Sequence, residues 1–178
     1  MQELNSLPGK RWWNAVFFLV ATLVVVADQL SKIWIRSNLA IGQSLPETGF
    51  FRLTYIHNMG AAFGLFRDYS FHLTIVAFVG IAVLLVYAFF VCRRFPFLNN
   101  MLSKAALGSI LGGTVGNLID RLQFGYITDF ICVGIWPPFN VADSAITVGV
   151  VVFAGSLFYL LYSQRQETKR DKIASQKH

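Results

Sequence analysis

The fold is decided by residues 70–91, SFHLTIVAFVGIAVLLVYAFFV, in which apolar side chains predominate and no Lys, Arg, Asp or Glu occurs. A helix of about 20 mostly apolar residues is long enough to cross the hydrocarbon core of a bilayer. The composition of the whole chain agrees, because 55% of its residues are hydrophobic and 13% are charged. Soluble domains carry about 25% charged residues. The sequence therefore predicts a protein that is embedded in lipid.

Three further apolar segments flank this one, at residues 12–30, 101–119 and 141–162. Each is close to the length of a membrane span, although glycine dilutes the hydropathy of the segment 101–119. The first segment follows Lys10 and Arg11, as a secretory signal would, but no small-residue cleavage site follows it, so we interpret it as a retained helix. We predict an all-α membrane protein with four transmembrane helices in a single membrane-embedded domain that covers the whole chain.

Lysine and arginine are distributed unevenly between the connections of the four predicted spans. One side of the membrane has ten of them: Lys10, Arg11, Arg93, Arg94, Lys104, Arg165, Lys169, Arg170, Lys172 and Lys177. The other side has five: Lys32, Arg36, Arg52, Arg67 and Arg121. Because the side richer in Lys and Arg faces the cytoplasm, we predict that both termini are cytoplasmic. These bases form no patch among aromatic residues, so we expect no binding to nucleic acid despite the net charge of +6.

The two connections on the outer side are residues 31–69 and 120–140, and the first is too long to be a simple turn. Within it, residues 51–57 alternate between apolar and polar side chains, which predicts a β-strand. Residues 126–131 are a second candidate strand. We therefore predict a small β-structured element on the outer side of the membrane. The polar C-terminal tail, residues 164–178, is expected to be a frayed helix end or disordered.

Gly108, Gly112 and Gly116 are spaced four residues apart in the third predicted helix, so they fall on one face of it. Small residues at this spacing allow the backbone of a neighbouring membrane helix to approach closely. We interpret this glycine face as a packing surface, whose contribution to function is indirect.

Acidic and amide side chains gather where the predicted spans meet the outer side of the membrane. They are Asp28, Asn58, Asn117, Asp120, Asp129, Asn140 and Asp143, with Arg121 next to Asp120. Because acidic groups near hydrocarbon are costly, they are candidates for a functional site. Structural roles compete with function at some of them. Asp143 could cap the start of its helix, Asp28 could satisfy donors where the first helix is expected to end, and Arg121 could pair with Asp120.

Two carboxylates held close together can hydrolyse an amide bond without a metal ion. They share one proton, because both cannot readily ionise at short range. The ionised carboxylate can take a proton from water while the protonated one donates to the carbonyl oxygen. The motifs H-E-x-x-H and G-x-S-x-G do not occur, so we expect no metal and no cofactor. Ser31 and Lys32 are adjacent in sequence and would not face each other on a helix, which disfavours a Ser–Lys dyad.

A small transporter or channel subunit is the main alternative, because aspartates within a membrane can relay protons or bind cations. A transporter is expected to place polar residues near the middle of several membrane helices. In this chain the middles of the predicted helices are apolar, and the polar residues gather at one edge. The pattern therefore favours a site at the membrane surface.

Five motifs occur in order along the chain. They are Asp28-Gln29-Leu30-Ser31-Lys32, Asn58-Met59-Gly60-Ala61-Ala62-Phe63-Gly64, Gly112-Gly113-Thr114-Val115-Gly116-Asn117-Leu118-Ile119-Asp120-Arg121, Thr128-Asp129-Phe130 and Phe139-Asn140-Val141-Ala142-Asp143-Ser144. Together they resemble the lipoprotein signal peptidases (signal peptidase II) of bacteria, across all four predicted helices and both outer connections. Each motif alone is weak, but five in this order are specific. Thr128 stands where a valine is common in that family.

The resemblance implies an aspartic endopeptidase of the bacterial cytoplasmic (inner) membrane, with its site near the outer leaflet. Its substrates would be prolipoproteins, cleaved just before a cysteine that already carries diacylglycerol. By their positions in the motifs, Asp129 and Asp143 would form the catalytic dyad. Supporting or substrate-binding roles would belong to Asp28, Asn58, Asn117, Asp120, Arg121 and Asn140. The family's lid-like outer helix would lie within residues 31–69, and we expect the chain to act as a monomer in contact with membrane lipid.

Overall fold

The computed structural model describes residues 9–60, 70–91 and 100–175. Four long helices account for most of these residues: α1 (Gly9–Asn38), α2 (Ser70–Val86), α3 (Met101–Phe124) and α4 (Val141–Ser175). The helix α2 continues as a π-helical turn over Tyr87–Val91. Three strands, β1 (Ser44–Leu45), β2 (Phe51–Asn58) and β3 (Ile127–Val133), form a small antiparallel sheet in the order β1-β2-β3. The protein is thus mostly helical, with one small sheet.

Three of the described helices are long and apolar enough to cross a membrane: Trp12–Asn38, Phe71–Phe90 and Val141–Ser163. Large apolar side chains on them point outward, and Phe71 is 73% exposed and Val151 66% exposed. Such surfaces are unfavourable in water and suit contact with lipid tails. The helix α3 does not meet the same criterion among the described residues, so the fourth predicted span stays a prediction. The hydropathy of α3 is lower than that of these three spans because α3 carries small and polar residues. It is the central helix and contacts α1, α2 and α4.

The glycine face of α3 packs directly on α1. A Cβ atom added to Gly112 would lie 2.6 Å from the backbone oxygen of Ala21, and one added to Gly108 would overlap the backbone of Phe17. At Gly116 the obstacle would be the carboxylate of Asp28, at 2.5 Å. The absence of side chains therefore lets the two helices approach closely, which confirms the interpretation of this face as a packing surface.

The sheet lies beside one end of the helices and brings distant segments together. Both predicted strands are confirmed, with β2 covering residues 51–58 rather than 51–57 and β3 covering 127–133 rather than 126–131. In the register between them, Ile56 lies opposite Asp129 and Asn58 lies opposite Ile127. The lid-like helix expected within 31–69 is absent from the described residues 39–60. Residues 61–69 lie outside the described part of the chain.

The expected end of the first helix near Asp28 is wrong. The helix α1 continues to Asn38 and places Asp28, Lys32 and Arg36 four residues apart, on the same side of the helix. The charged residues at its end are compatible with helix, and Lys32 and Arg36 form ion pairs with Asp120 on α3. Of the two alternatives for the tail, a helix end or disorder, the structure agrees with the helix for residues 164–175, which continue α4 as far as Ser175.

Candidate active site

Asp129 and Asp143 reach the same cavity from two different elements. Asp129 lies in β3 and is 2% exposed, whereas Asp143 lies in the first turn of α4. Both line a cavity of about 580 Å³. Other residues that line it include Asn58, Gly60, Asn117, Arg121, Trp136, Ile146 and Val148. The structure thus brings both sequence-predicted aspartates to one cavity wall.

Asn140 connects the two carboxylates. Its Nδ2 donates to Asp129 Oδ1 at 2.8 Å, and its backbone N–H donates to Asp143 Oδ2 at 3.2 Å. In return, the backbone N–H of Asp143 donates to Asn140 Oδ1 at 2.9 Å. This reciprocal pattern is that of a capping box, with Asn140 as the N-cap of α4 and the aspartate three residues later. Asn140 therefore starts the helix and binds both carboxylates, Asp129 with its buried side-chain amide and Asp143 with its backbone N–H.

Two further amides complete the hydrogen bonding of the carboxylates. Asn58, at the end of β2, donates from Nδ2 to Asp129 Oδ2 at 2.8 Å. Asn117 on α3 donates from Nδ2 to Asp143 Oδ1 at 2.8 Å. Each carboxylate therefore accepts from one amide of its own and from Asn140. All three asparagines predicted as supporting residues contact the pair.

The pKa of Asp129 is raised from 3.8 to about 7. Burial is the main cause, because it disfavours the charged form, and the negative charge of Asp143 adds to it. Hydrogen bonds from Asn58 and Asn140, and the positive charge of Lys32, act in the opposite direction. A carboxyl with a pKa near 7 holds a proton for a large part of the time at neutral pH, as a proton donor in catalysis requires.

Asp120 does not pair with Arg121, and that suggestion is wrong. Its carboxylate lies 3.5 Å from Lys32 Nζ and 3.3 Å from Arg36 Nη1, both on α1, and it accepts the backbone N–H of Thr128 at 2.8 Å. Arg36 is 84 positions from Asp120 in sequence and Lys32 is 88 positions away (120 − 32), so helix spacing alone could not show these two partners. Arg121 is directed to the cavity instead, where its Nη2 lies 3.4 Å from the carbonyl oxygen of Gly60.

Asp28 lies behind the cavity wall rather than on it. Its Oδ1 accepts the backbone N–H of Ala142 in the first turn of α4 at 3.0 Å, and its Oδ2 lies 2.8 Å from Lys32 Nζ. A structural role was expected of Asp28, and the structure provides one, although at the start of α4 and not at the end of α1. Lys32 is the site residue that sequence reasoning missed, since its spacing of four from Asp28 becomes informative only once α1 is known to continue.

Other reactive side chains lie apart from the two aspartates. The ring of His57 stacks on that of Tyr126 with centroids 3.7 Å apart, and its Nε2 lies 2.9 Å from the hydroxyl of Tyr55. Burial lowers the pKa of His57, which favours its neutral form. Cys132 is a buried free thiol on β3. Within residues 9–60, 70–91 and 100–175, no group of three or more His, Cys, Asp or Glu side chains could hold a metal ion.

The fold and the site define an α-helical membrane protein with two adjacent, amide-bound carboxylates at an open cavity. Residues 20–159 match the family model of signal peptidase (SPase) II, and the chain belongs to this family. It is 51% identical over 136 residues to the lipoprotein signal peptidase of Dehalococcoides mccartyi (strain CBDB1), a match that covers 76% of this chain and 84% of the relative. The lipoprotein signal peptidase of Moorella thermoacetica is 44% identical over 152 residues, or 85% of this chain and 98% of the relative.

Solved structures agree with this assignment. A bacterial membrane enzyme determined by the in meso method at 2.3 Å resolution is 29% identical, with a TM-score of 0.72, and the match covers 82% of this chain and 88% of that one. A second bacterial membrane enzyme, solved by the same method at 1.9 Å, gives a TM-score of 0.69 at 30% identity. The protein is therefore a multi-pass bacterial membrane protein and a peptidase of the signal peptidase II family.

Proposed function

We propose that this protein is a membrane aspartic endopeptidase that removes signal peptides from bacterial prolipoproteins. Cleavage would fall just before the diacylglyceryl-modified cysteine, by attack of water activated by Asp129 and Asp143. Membership of the signal peptidase II family supports the substrate class. The observation that carries the chemistry is that one buried residue, Asn140, binds both carboxylates at the wall of one cavity, Asp129 through its side-chain amide and Asp143 through its backbone N–H.

The two carboxylates supply the two proton transfers that amide hydrolysis needs. The raised pKa of Asp129 favours placing the shared proton of the pair on that residue. Asp143 then takes a proton from the attacking water, and Asp129 donates to the carbonyl oxygen of the scissile bond. When the tetrahedral intermediate breaks down, the proton taken from water passes to the leaving nitrogen. No covalent intermediate with the enzyme is needed in this scheme.

The cavity also suits an extended peptide that bears a lipid. Arg121 has its guanidinium at the cavity and forms no ion pair with a carboxylate of residues 9–60, 70–91 and 100–175, so its N–H groups are positioned to donate to substrate carbonyl groups. Trp136, Ile146 and Val148 give the cavity an apolar border, and Val148 is 59% exposed on the lipid-facing side of α4. A substrate anchored in the membrane could therefore enter sideways from the lipid.

The proposed enzyme has four membrane spans, with α3 as the fourth, and lies in the cytoplasmic membrane with both termini in the cytoplasm. The helix α3 spans 24 residues, which is about 36 Å of helix and enough to cross a hydrocarbon core of about 30 Å. Its polar end, with Asn117 and Asp120, is the end at which the sheet lies. With the termini in the cytoplasm, this arrangement supports the proposal that the site lies near the outer leaflet. We propose that a monomer suffices, because every residue invoked here comes from one chain.

The test is cleavage of a synthetic precursor peptide with a diacylglyceryl cysteine by the purified full chain in detergent. Asp129→Asn and Asp143→Asn should each lower kcat by at least about a thousandfold, and the double variant should be little worse than either. Non-additivity is expected because both groups serve the same step. Glu47→Gln is the matched control, since it also turns a carboxylate into an amide, but at an exposed position. Near-normal kcat in either single Asp variant would exclude the proposed pair.

A further inference from the structure

Lys32 is fully buried, with 0% of its side chain exposed. Its Nζ lies 2.8 Å from Asp28 Oδ2, 3.5 Å from Asp120 Oδ2 and 2.9 Å from Asn117 Oδ1. A buried ammonium is costly unless it is paired and hydrogen-bonded, and the two aspartates account for that requirement. The contact with Asn117 is not needed for charge balance, and it is the one that leads to the proposed catalytic pair.

The ammonium group determines which way the amide of Asn117 points. Lysine can only donate hydrogen bonds, so the oxygen of the amide must face Lys32 and its nitrogen must face away. The nitrogen then donates to Asp143 Oδ1 at 2.8 Å. In the opposite orientation the amide NH₂ would meet the ammonium and the amide oxygen would meet the carboxylate, and both contacts would be repulsive.

The same oxygen of Asn117 reaches the second carboxylate. It accepts from Asn140 Nδ2 at 3.0 Å, and that nitrogen also donates to Asp129 Oδ1 at 2.8 Å. Lys32 is thus one amide away from Asp143 and two amides away from Asp129. Within the described part of the chain, Lys32 is the cation that is hydrogen-bonded to Asn117.

We propose that Lys32 is a positioning residue for the peptidase reaction: it fixes the orientation of Asn117, and through Asn117 and Asn140 it aims both carboxylates at the cavity. This inference rests on the proposed catalytic pair. The alternative is that Lys32 only neutralises Asp28 and Asp120 and so stabilises the packing of α1 on α3.

The positive charge of Lys32 also favours the ionised form of the pair. The charged groups around it are Asp28 and Arg36 on its own helix, Asp120 and Arg121 on α3, Asp129 on β3 and Asp143 on α4. A pair that must hold one proton gives a rate that rises and then falls with pH, and removing the ammonium should therefore move both limits of this bell-shaped profile to higher pH, by about half a unit or more. The shift of the pH limits reports the charge of Lys32, whereas a loss of kcat at the optimum pH with little change in KM reports the orientation of Asn117.

The experiment replaces Lys32 by methionine, which has a similar length and neither charge nor donor, and balances the buried charge with Asp28→Asn. Lys32→Met/Asp28→Asn is compared with Asp28→Asn alone, in the lipid-modified precursor assay across pH. We expect kcat to be lower by about 10- to 100-fold in the double variant, with KM changed by less than about threefold. Lys32→Met/Asp120→Asn is likewise compared with Asp120→Asn alone. With two backgrounds, the result stands even if one of the single Asp variants is itself inactive.

Lys104 provides the matched control, because it is a second buried lysine, 2% exposed. It donates to the carbonyl oxygen of Ala88 and lies thirteen residues, about 20 Å along α3, from Asn117. Lys104→Met should lower the melting temperature while kcat and the pH limits stay unchanged. If the Lys32 double variants match their single-Asp backgrounds in kcat and pH limits, Lys32 is not a positioning residue. If Asp129→Asn is active, the catalytic pair itself is wrong, so the two failures are distinguishable.

Discussion

The close contact between α1 and α3 can be tested by adding a single methyl group. Gly112→Ala would place a Cβ atom 2.6 Å from the backbone oxygen of Ala21 and 2.8 Å from Cβ of Val24. Both obstacles belong to α1, and one of them is backbone, so no flexible side chain can move aside. The helices themselves must separate to admit the methyl group.

The required displacement follows from the contact distance. Ordinary van der Waals contact begins at 3.4 Å, and 3.4 minus 2.6 gives a shift of 0.8 Å at this level of the helix pair. Lys32 lies three helical turns further along α1, where it bonds Asn117 of α3 at 2.9 Å. A shift of this size carried to that contact would stretch it beyond hydrogen-bonding distance. Overpacking in a tight core costs about 1–3 kcal/mol of stability, and a misplacement of about 1 Å can lower kcat about a hundredfold.

The assay measures thermal unfolding and precursor cleavage of Gly112→Ala in the same detergent. We expect a lower melting temperature and a kcat reduced by about 10- to 100-fold, since the shift is slightly below 1 Å. Gly155→Ala is the control, because a Cβ atom there would meet nothing within 4 Å. It should be as stable as the wild type or more stable, since alanine favours helix by about 1 kcal/mol. Wild-type stability and kcat in Gly112→Ala would refute this account of the glycine face.

Three further predictions concern pH, the start of α4, and topology. Because the pKa of Asp129 rises from 3.8 to about 7, the folded state keeps a proton over that range that the unfolded chain has lost, so stability should fall as pH rises towards 7. Asp129→Asn should lack this slope in melting curves between about pH 4 and pH 8, and an equal slope would contradict the assignment. Asn140→Ala should lose about 1 kcal/mol of stability and about a hundredfold in kcat, because it removes the N-cap of α4 and a contact to Asp129. Asn100→Ala, which removes the N-cap of α3, should lose stability alone. Equal kcat values in the two variants would contradict the role of Asn140 in holding the carboxylates. Single cysteines at Arg52 and Lys172 should be labelled in intact cells from outside only at position 52, and labelling at position 172 would overturn the topology.

Hydropathy and spacing were enough to predict much of the fold, because each depends on local sequence. An apolar run predicts a membrane helix, alternation predicted β2, and a spacing of four predicted the glycine face on α3. The two-residue strand β1 was missed because so short a segment has no period. The end of α1 was misplaced because charged residues at a helix end and charged residues paired with a neighbouring helix look alike in sequence.

In the site, too, features that depend on local sequence could be predicted and features that depend on tertiary contacts could not. Asp129, Asp143 and their three asparagines could be proposed from the sequence. Topology gathers them with Asp28 and Asp120 on one side of the membrane, and the resemblance of the motifs singles out Asp129 and Asp143. The partners of Asp120 could not, since Lys32 and Arg36 meet it only after α1 packs on α3. Lys32 was missed because its burial depends on the same tertiary contacts. Its neighbour in sequence, Ser31, also led us to consider it only as part of a Ser–Lys dyad.

The amides between the charged groups of this site have a physical advantage. A cation in direct contact with a carboxylate of the proposed pair would hold it ionised, and the pair would lose the proton that it must share. An asparagine between the cation and the carboxylate fixes the orientation of the carboxylate but keeps the full positive charge away from it. It can do so because its amide oxygen accepts from the cation and its amide nitrogen donates to the carboxylate. Lys32 can therefore lie next to Asn117 and still leave the pKa of Asp129 raised to about 7. A residue at position 117 that lacks both a hydrogen-bond acceptor and a hydrogen-bond donor could not connect Lys32 to Asp143 in this way, even if the fold were kept.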